Sequence, residues 1–178
     1  MFERLIHSQS RVLGGIDAIP LSHHELFAQV DAIAGTLQQF HPGLHVGILA
    51  DNSPSWIAVD LASASLVRRG VPSTLVPLPD FFTNEQLQHL LDEAQVMVLF
   101  TDNPERARSL GFECVDGPLQ HCAKPLLGMV RPSPPALKWS LEKAQALSPV
   151  QKITFTSGTT GQPKGVCLSL NQQMAVAN

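Results

Sequence analysis

Charged side chains are scarce here: Asp, Glu, Lys and Arg make up 15% of the 178 residues, against the roughly 25% usual for soluble domains. Some of the surface is therefore expected to pack against other protein. The charge that is present does not lean basic. A formal net charge of -3 leaves no positive face of the kind nucleic acid requires, and the adjacent Arg68 and Arg69 read as a solvated helix end. Cysteine is sparse too. Cys114, Cys122 and Cys167 form no CxxC pair and are odd in number, which argues against a disulfide framework or a zinc site. A reducing compartment, the cytoplasm, is the expectation. No apolar run approaches the roughly 18 residues of a membrane span. The opening "MFERLIHSQSR" carries an acid and lacks the apolar core of a secretory signal. With 44% hydrophobic residues, the chain can still bury a sizeable core.

What is present is an alternation of strand and helix patterns. After a lead-in over 1–16, "AIPL" (18–21) reads as a short strand. "SHHE" follows, where Ser22 and Glu25 can satisfy each other's backbone N–H groups as a capping box. Leu26, Val30, Ile33 and Leu37 then line one helical face until "HPG" (41–43) stops it. "HVGILA" (45–50) reads as a buried strand, and Ser53-Pro54 opens a helix that Gly70 closes. The prolines of "VPSTLVPL" predict a strand at an edge or mouth of the sheet. Thr83 and Gln86 form a second capping box, "VMVLF" (96–100) a strand, "NPERARSLG" a short helix and "FECV" a last strand. This order implies an α/β fold, a mostly parallel doubly wound sheet over 17–115 with right-handed crossovers. Residues 116–150 break the rhythm. "VRPSPPALKW" alone holds three prolines, so a Pro-rich connecting segment is expected, docked by Leu126, Leu127, Met129, Trp139 and Leu141.

Several chemistries fail on spacing. His23 and His24 point about 100° apart on a helix, and Pro42-Gly43 separates His41 from His45, so neither pair suits a metal. "TSGTT" lacks the glycine two residues before Ser157 that a nucleophile elbow needs. Cys167, between Val166 and Leu168, reads as strand packing.

The stretch over 151–178 is chemically richer. "QKITF" alternates into a strand and "TSGTTGQPKG" follows at once. Gly158, Gly161 and Gly165 let backbone N–H groups approach a ligand and point inward together. Thr154, Thr156, Ser157, Thr159 and Thr160 supply hydroxyls, and Lys164 a point charge on a flexible stem. Donors of these kinds suit polyphosphate oxygens. The order Lys164-Gly165 is not that of a Walker A loop. "GVCLS" reads as a second strand, making the loop a hairpin tip held at its ends and expected to be poorly ordered until nucleotide binds. Ser169 and Gln172 cap a following helix.

"FTSGTTGQPKGV" closely resembles the phosphate-loop signature of the AMP-forming adenylating enzymes: acyl-CoA synthetases, luciferases and peptide synthetase adenylation domains. "PLSHHELFAQVDAIAGTLQQ" and "HVGILADNSPSWIAVDLASASLVRRGVPSTLVPL" are similar to that family's first elements, and the resemblance runs from about residue 17 onward, weakest across 116–149. It departs at Asn171, where many relatives have histidine. The resemblance implies that Thr156, Ser157, Gly158, Thr159, Thr160, Gly161, Lys164 and Gly165 bind ATP phosphates. The parent would be an acyl-CoA synthetase joining a carboxylic acid, most commonly a fatty acid, to CoA with ATP and Mg2+. The alternatives are a domain loading an acyl carrier protein or serving an amino acid pathway, and a non-enzymatic binding or scaffold protein. Because family members are several hundred residues long, an inactive N-terminal fragment is expected, without a complete catalytic set or metal site, and a homo-oligomer is plausible on the uncovered sheet edge.

Overall fold

In a computed structural model the described residues are 11–13, 21–39, 44–132, 150–156 and 163–177. Strands β1 (Arg11–Leu13) and β2 (Leu21–Ser22) pair antiparallel as a small ribbon. The start of the expected "AIPL" strand, the "HPG" stop and residues 133–149, with Trp139 and Leu141, lie outside the described residues.

Helix α1 (His23–Gln38) begins at the Ser22 cap: Ser22 Oγ accepts from the Glu25 N–H at 3.2 Å, and Glu25 accepts from the Ser22 N–H at 2.8 Å. Its face of Leu26, Val30, Ile33 and Leu37 is buried. β3 (Leu44–Leu49) follows, then α2 (Pro54–Arg68), capped by Ser53 with Pro54 in its first turn. After it, Gly70 takes φ +78°, the left-handed turn that a glycine enters without penalty. β4 (Ser73–Pro77), α3 (Asn84–Glu93), β5 (Val98–Thr101) and α4 (Pro104–Ser109) continue the alternation. β6 (Glu113–Cys114), α5 (Pro118–His121), β7 (Leu127–Val130), β8 (Val150–Thr156), β9 (Lys164–Ser169) and α6 (Leu170–Ala177) complete it.

Seven strands form one sheet in the order β6-β7-β5-β3-β4-β8-β9. The central run β5-β3-β4-β8 is parallel, while β7, β6 and β9 add antiparallel at the two sides. The chain steps from β3 to β4 on one side, then crosses back to β5 on the other. Right-handed crossovers in opposite directions put their helices on opposite faces. Alternation along the strands matches this. Val46, Ile48, Leu75, Val98 and Phe100 join the residues of α1 and α2 in one core, and Leu49, Val76, Leu99 and Met129 join those of α3 and α4 in the other.

Two expectations need correction. β4 is an interior strand between β3 and β8, not an edge. Its prolines frame it without interrupting it: Pro72 precedes the strand, Pro77 is its last residue, and the Leu78 N–H resumes bonding to the Ile48 carbonyl at 2.8 Å. The segment from 116 onward is also more than a connection. α5 and β7 fall within it, and β7 pairs between β5 and β6. The strand escapes a local reading because its partners lie far off in sequence and Pro125 breaks its start.

Candidate functional site

β8 and β9 form an antiparallel hairpin, paired from Val150↔Ser169 to Thr156↔Lys164 with one register shift between Val150 and Lys152. Since β8 runs parallel to β4, β3 and β5, the hairpin opens at the carboxyl edge of the parallel strands. Open α/β sheets take their ligands at that edge. Thr156 and Lys164 stand opposite each other at the mouth, both exposed, with Thr156 Oγ1 3.5 Å from the Lys164 carbonyl. Among the described residues no carboxylate pairs with Lys164. Ser157, Gly158, Thr159, Thr160 and Gly161 lie outside the described residues, as does the expected ordering of that loop by nucleotide.

The hairpin's strands have distinct faces. Ile153 and Phe155 pack against the core of α3 and α4, while Lys152 reaches the other layer, where its Nζ donates to Asp60 Oδ2 of α2 at 2.7 Å. Gly165 pairs with Phe155, and a Cβ there would stand 3.2 Å from the Phe155 ring and 3.3 Å from Ile153. That glycine therefore has a packing reason for its identity beside any ligand approach. Ser169 and Gln172 form the expected cap on α6, and Gln173 of α6 donates to the buried Gln151 of β8. Cys167 does not pack inside the sheet as its apolar neighbours suggest. It is exposed: among the described residues β9 has a strand on one side only, and most of its residues face outward.

A second feature of the carboxyl edge was not visible in the sequence. A cleft of about 220 Å³ lies at the ends of β3 and β5, lined by Leu49, Ala50, Asp51, Asp80, Asp102 and Arg106 among others. The Asp51 N–H donates to Asp102 Oδ2 at 3.0 Å, tying the two loops together. Arg106 is occupied by the loop after β4, bonding to the Asp80 carbonyl at 2.6 Å, the Phe82 carbonyl and Asn84 Oδ1 at 3.0 Å. Three carboxylates against one engaged guanidinium make this cleft unsuitable for a polyphosphate. A larger recess of about 450 Å³, beside Asp92 and Arg131, lies at the amino edge, where Arg131 Nη1 pairs with Asp92 at 2.6 Å and its guanidinium stacks on Phe112 at 5.3 Å. It is remote from the hairpin mouth.

The chain is similar to several known proteins. Long-chain-fatty-acid–CoA ligase 1 of Cavia porcellus is 27% identical over 153 residues, covering 74% of this chain and 21% of the ligase. HC-toxin synthetase of Cochliobolus carbonum is 31% identical over 155 residues, covering 83% of this chain and 3% of the synthetase. The crystal structure of ATP-bound MatB from Rhodopseudomonas palustris shares the fold with a TM-score of 0.61 at 19% identity, over 94% of this chain and 34% of that one. The chain thus spans about a fifth of the ligase's length and far less of the synthetase's. No helix among the described residues is long and apolar enough to cross a membrane. A family model described as AMP-binding enzyme matches residues 10–178, and with its glycine–threonine hairpin at the carboxyl edge of a doubly wound sheet, the chain belongs to that family.

Proposed function

We propose that this chain supplies the polyphosphate-holding hairpin of an AMP-forming acid–thiol ligase, with a fatty acid as the acid and CoA as the thiol. The observation that carries the reading is the pairing of Thr156 with Lys164 at the carboxyl edge of the parallel strands. A substrate carboxylate oxygen attacks the α-phosphorus of ATP, the bond to the bridging oxygen breaks, and pyrophosphate leaves with the charge. The thiol then displaces AMP from the acyl carbon. Lys164 neutralises the β- and γ-phosphates, and Thr156, Ser157, Thr159, Thr160 and the backbone N–H groups of Gly158, Gly161 and Gly165 fix their geometry. The carboxylate nucleophile is ionised at neutral pH and needs no general base. Mg2+ would accompany the ATP, but neither strand of the hairpin carries a carboxylate, so a protein ligand for the metal belongs to another segment.

The test is acid-dependent ATP–pyrophosphate exchange by the protein as its gene encodes it. Lys164→Ala is expected to lower the exchange rate about a hundredfold. An unchanged rate would remove the charge role. Residues 1–178 alone are expected to form no acyl-adenylate, since they match only 21% of the ligase's length. Turnover by them would refute that.

A second reading, an adenylating domain that loads a carrier protein, draws on the likeness to HC-toxin synthetase. It predicts acyl transfer to a phosphopantetheinyl carrier and none to CoA. Nucleotide binding without exchange on any acid would instead favour a scaffold. The proposed compartment is the cytoplasm, in keeping with the free, exposed thiols of Cys114 and Cys167. A homo-oligomer is proposed on the open edge of β9, to be checked by light scattering.

A further inference from the structure

The two sides of β8 are attached very differently. Toward β9 it pairs from Val150 to Thr156 with one register shift, between Val150 and Lys152, but toward β4 the ladder is registered at a single pair, Leu75↔Lys152. With the ladder itself registered so briefly, the tilt of the hairpin depends on side-chain contacts, among them the packing of Ile153 and Phe155 against the core of α3 and α4. Two side-chain bonds supplement the ladder. Thr74 Oγ1 donates to the Val150 carbonyl at 2.7 Å, holding the start of the strand. Two residues on, Lys152 Nζ donates to Asp60 Oδ2 at 2.7 Å, and these side chains are only 15% and 24% exposed. Asp60 stands on α2 between Val59 and Ala62, both fully buried, so its helix is fixed in the core. The pair is largely withdrawn from water, which strengthens it relative to a surface pair and makes removal of either partner costly.

We propose that Asp60 and Lys152 are positioning residues for the phosphate hairpin: their ion pair sets the height and tilt at which β8 delivers Thr156, and with it Lys164, to the polyphosphate. From Lys152 to Thr156 is four residues, or about 13 Å of strand. Over that lever a small rotation at the single ladder pair becomes a displacement of the order of an ångström at the mouth. Misplacement of that size is enough to weaken engagement of a ligand severely. The other side chains near the pivot do not replace the pair. Ser63 and Ser73 are hydroxyl-bonded to each other at 3.0 Å, and Gln151 accepts from Gln173.

The proposal rests on the reading of the hairpin as an ATP-phosphate clamp, and the experiment separates the two. In the protein as its gene encodes it, Asp60→Asn and Lys152→Met are each expected to raise the KM for ATP about tenfold with the KM for the acid unchanged. Lys152→Arg, which keeps the charge, is expected to stay within about threefold of wild type. The double variant should be no worse than the worse single one. Amide hydrogen exchange without nucleotide provides a readout independent of catalysis: Asp60→Asn should speed exchange over residues 150–156 and leave β3 and β5 protected. Wild-type KM for ATP in both single variants, or a parallel rise in both KM values, overturns the positioning role. So does unchanged exchange over β8. If the wild type supports no ATP–pyrophosphate exchange while Asp60→Asn still loosens β8, the reaction assignment falls and the seating of the strand stands.

Discussion

Phe155 and Gly165 face each other across the β8–β9 ladder, and the phenyl ring occupies the space that a side chain at 165 would enter. Gly165→Val is accordingly expected to destabilise the protein by about 1–3 kcal/mol, the usual cost of overpacking. Most of that cost should vanish when Phe155→Ala is combined with it. Denaturant midpoints of the two single variants and the double variant test this, and simple additivity would show that the ring is not the obstacle.

His45 ties the second residue of β3 to the end of α3 through Nδ1, which donates to the Ala94 carbonyl. Burial pulls its pKa below the ordinary value near 6.5, and the carbonyl bond offsets this in part. The unfolded chain therefore takes up the proton more readily than the folded one. Stability should be flat above about pH 6.5 and fall as the pH drops below it, with a slope of at most about 1.4 kcal/mol per pH unit. His45→Gln should flatten this part of the profile, measured by urea unfolding between pH 7.5 and 5.

Gln95 follows α3 with φ +51°, a left-handed conformation that disfavours a residue with a Cβ, and its side-chain nitrogen is buried without a partner among the described residues. Gln95→Gly removes both penalties and is expected to stabilise the fold by about 1 kcal/mol. A lower melting temperature in that variant would mean that the side chain's packing outweighs its strain.

Gly128 lies in β7 directly against α5. A Cβ there would sit 2.3 Å from the Leu119 carbonyl oxygen, a backbone atom that cannot swing aside. Gly128→Ala is expected to cost about 3 kcal/mol or more, at the upper end for overpacking. Thermal unfolding that matched wild type would indicate that α5 shifts freely from β7.

These positions also show what a sequence displays. The caps at Ser22, Ser53, Thr83 and Ser169 are legible because each is closed by bonds within three residues, as the Ser22–Glu25 and Thr83–Gln86 exchanges are. The hairpin strands were legible because alternation in "QKITF" and the glycine-rich tip lie side by side. β7 was not, since its place is set by Val98, Leu99 and Phe100 of a strand some thirty residues earlier. Nor was the interior position of β4, because a proline at a strand's end reads like a proline at a sheet's edge until the neighbours are known. Arg106 belongs to the same class. Its three acceptors at Asp80, Phe82 and Asn84 become neighbours only when α4 docks beside the loop after β4. The site residues legible in sequence were those whose chemistry is local, and the geometry that seats them, Asp60 with Lys152, spans 92 positions.

The strand order also prescribes a sequence of assembly. β3 is the first strand of the large sheet to be synthesised and lies at its middle, and β4 and β5 then join its two sides. A nascent chain can thus complete both cores around these three strands before β8 leaves the ribosome. The hairpin is added afterwards as an annex, through one ladder pair with β4, a few side-chain bonds and the packing of Ile153 and Phe155 on the finished core. An annex of this kind can open and reclose as a separate cooperative unit while β3, β4 and β5 stay folded. The hairpin proposed to hold the nucleotide would then move by local unfolding, at no cost to the permanence of the rest.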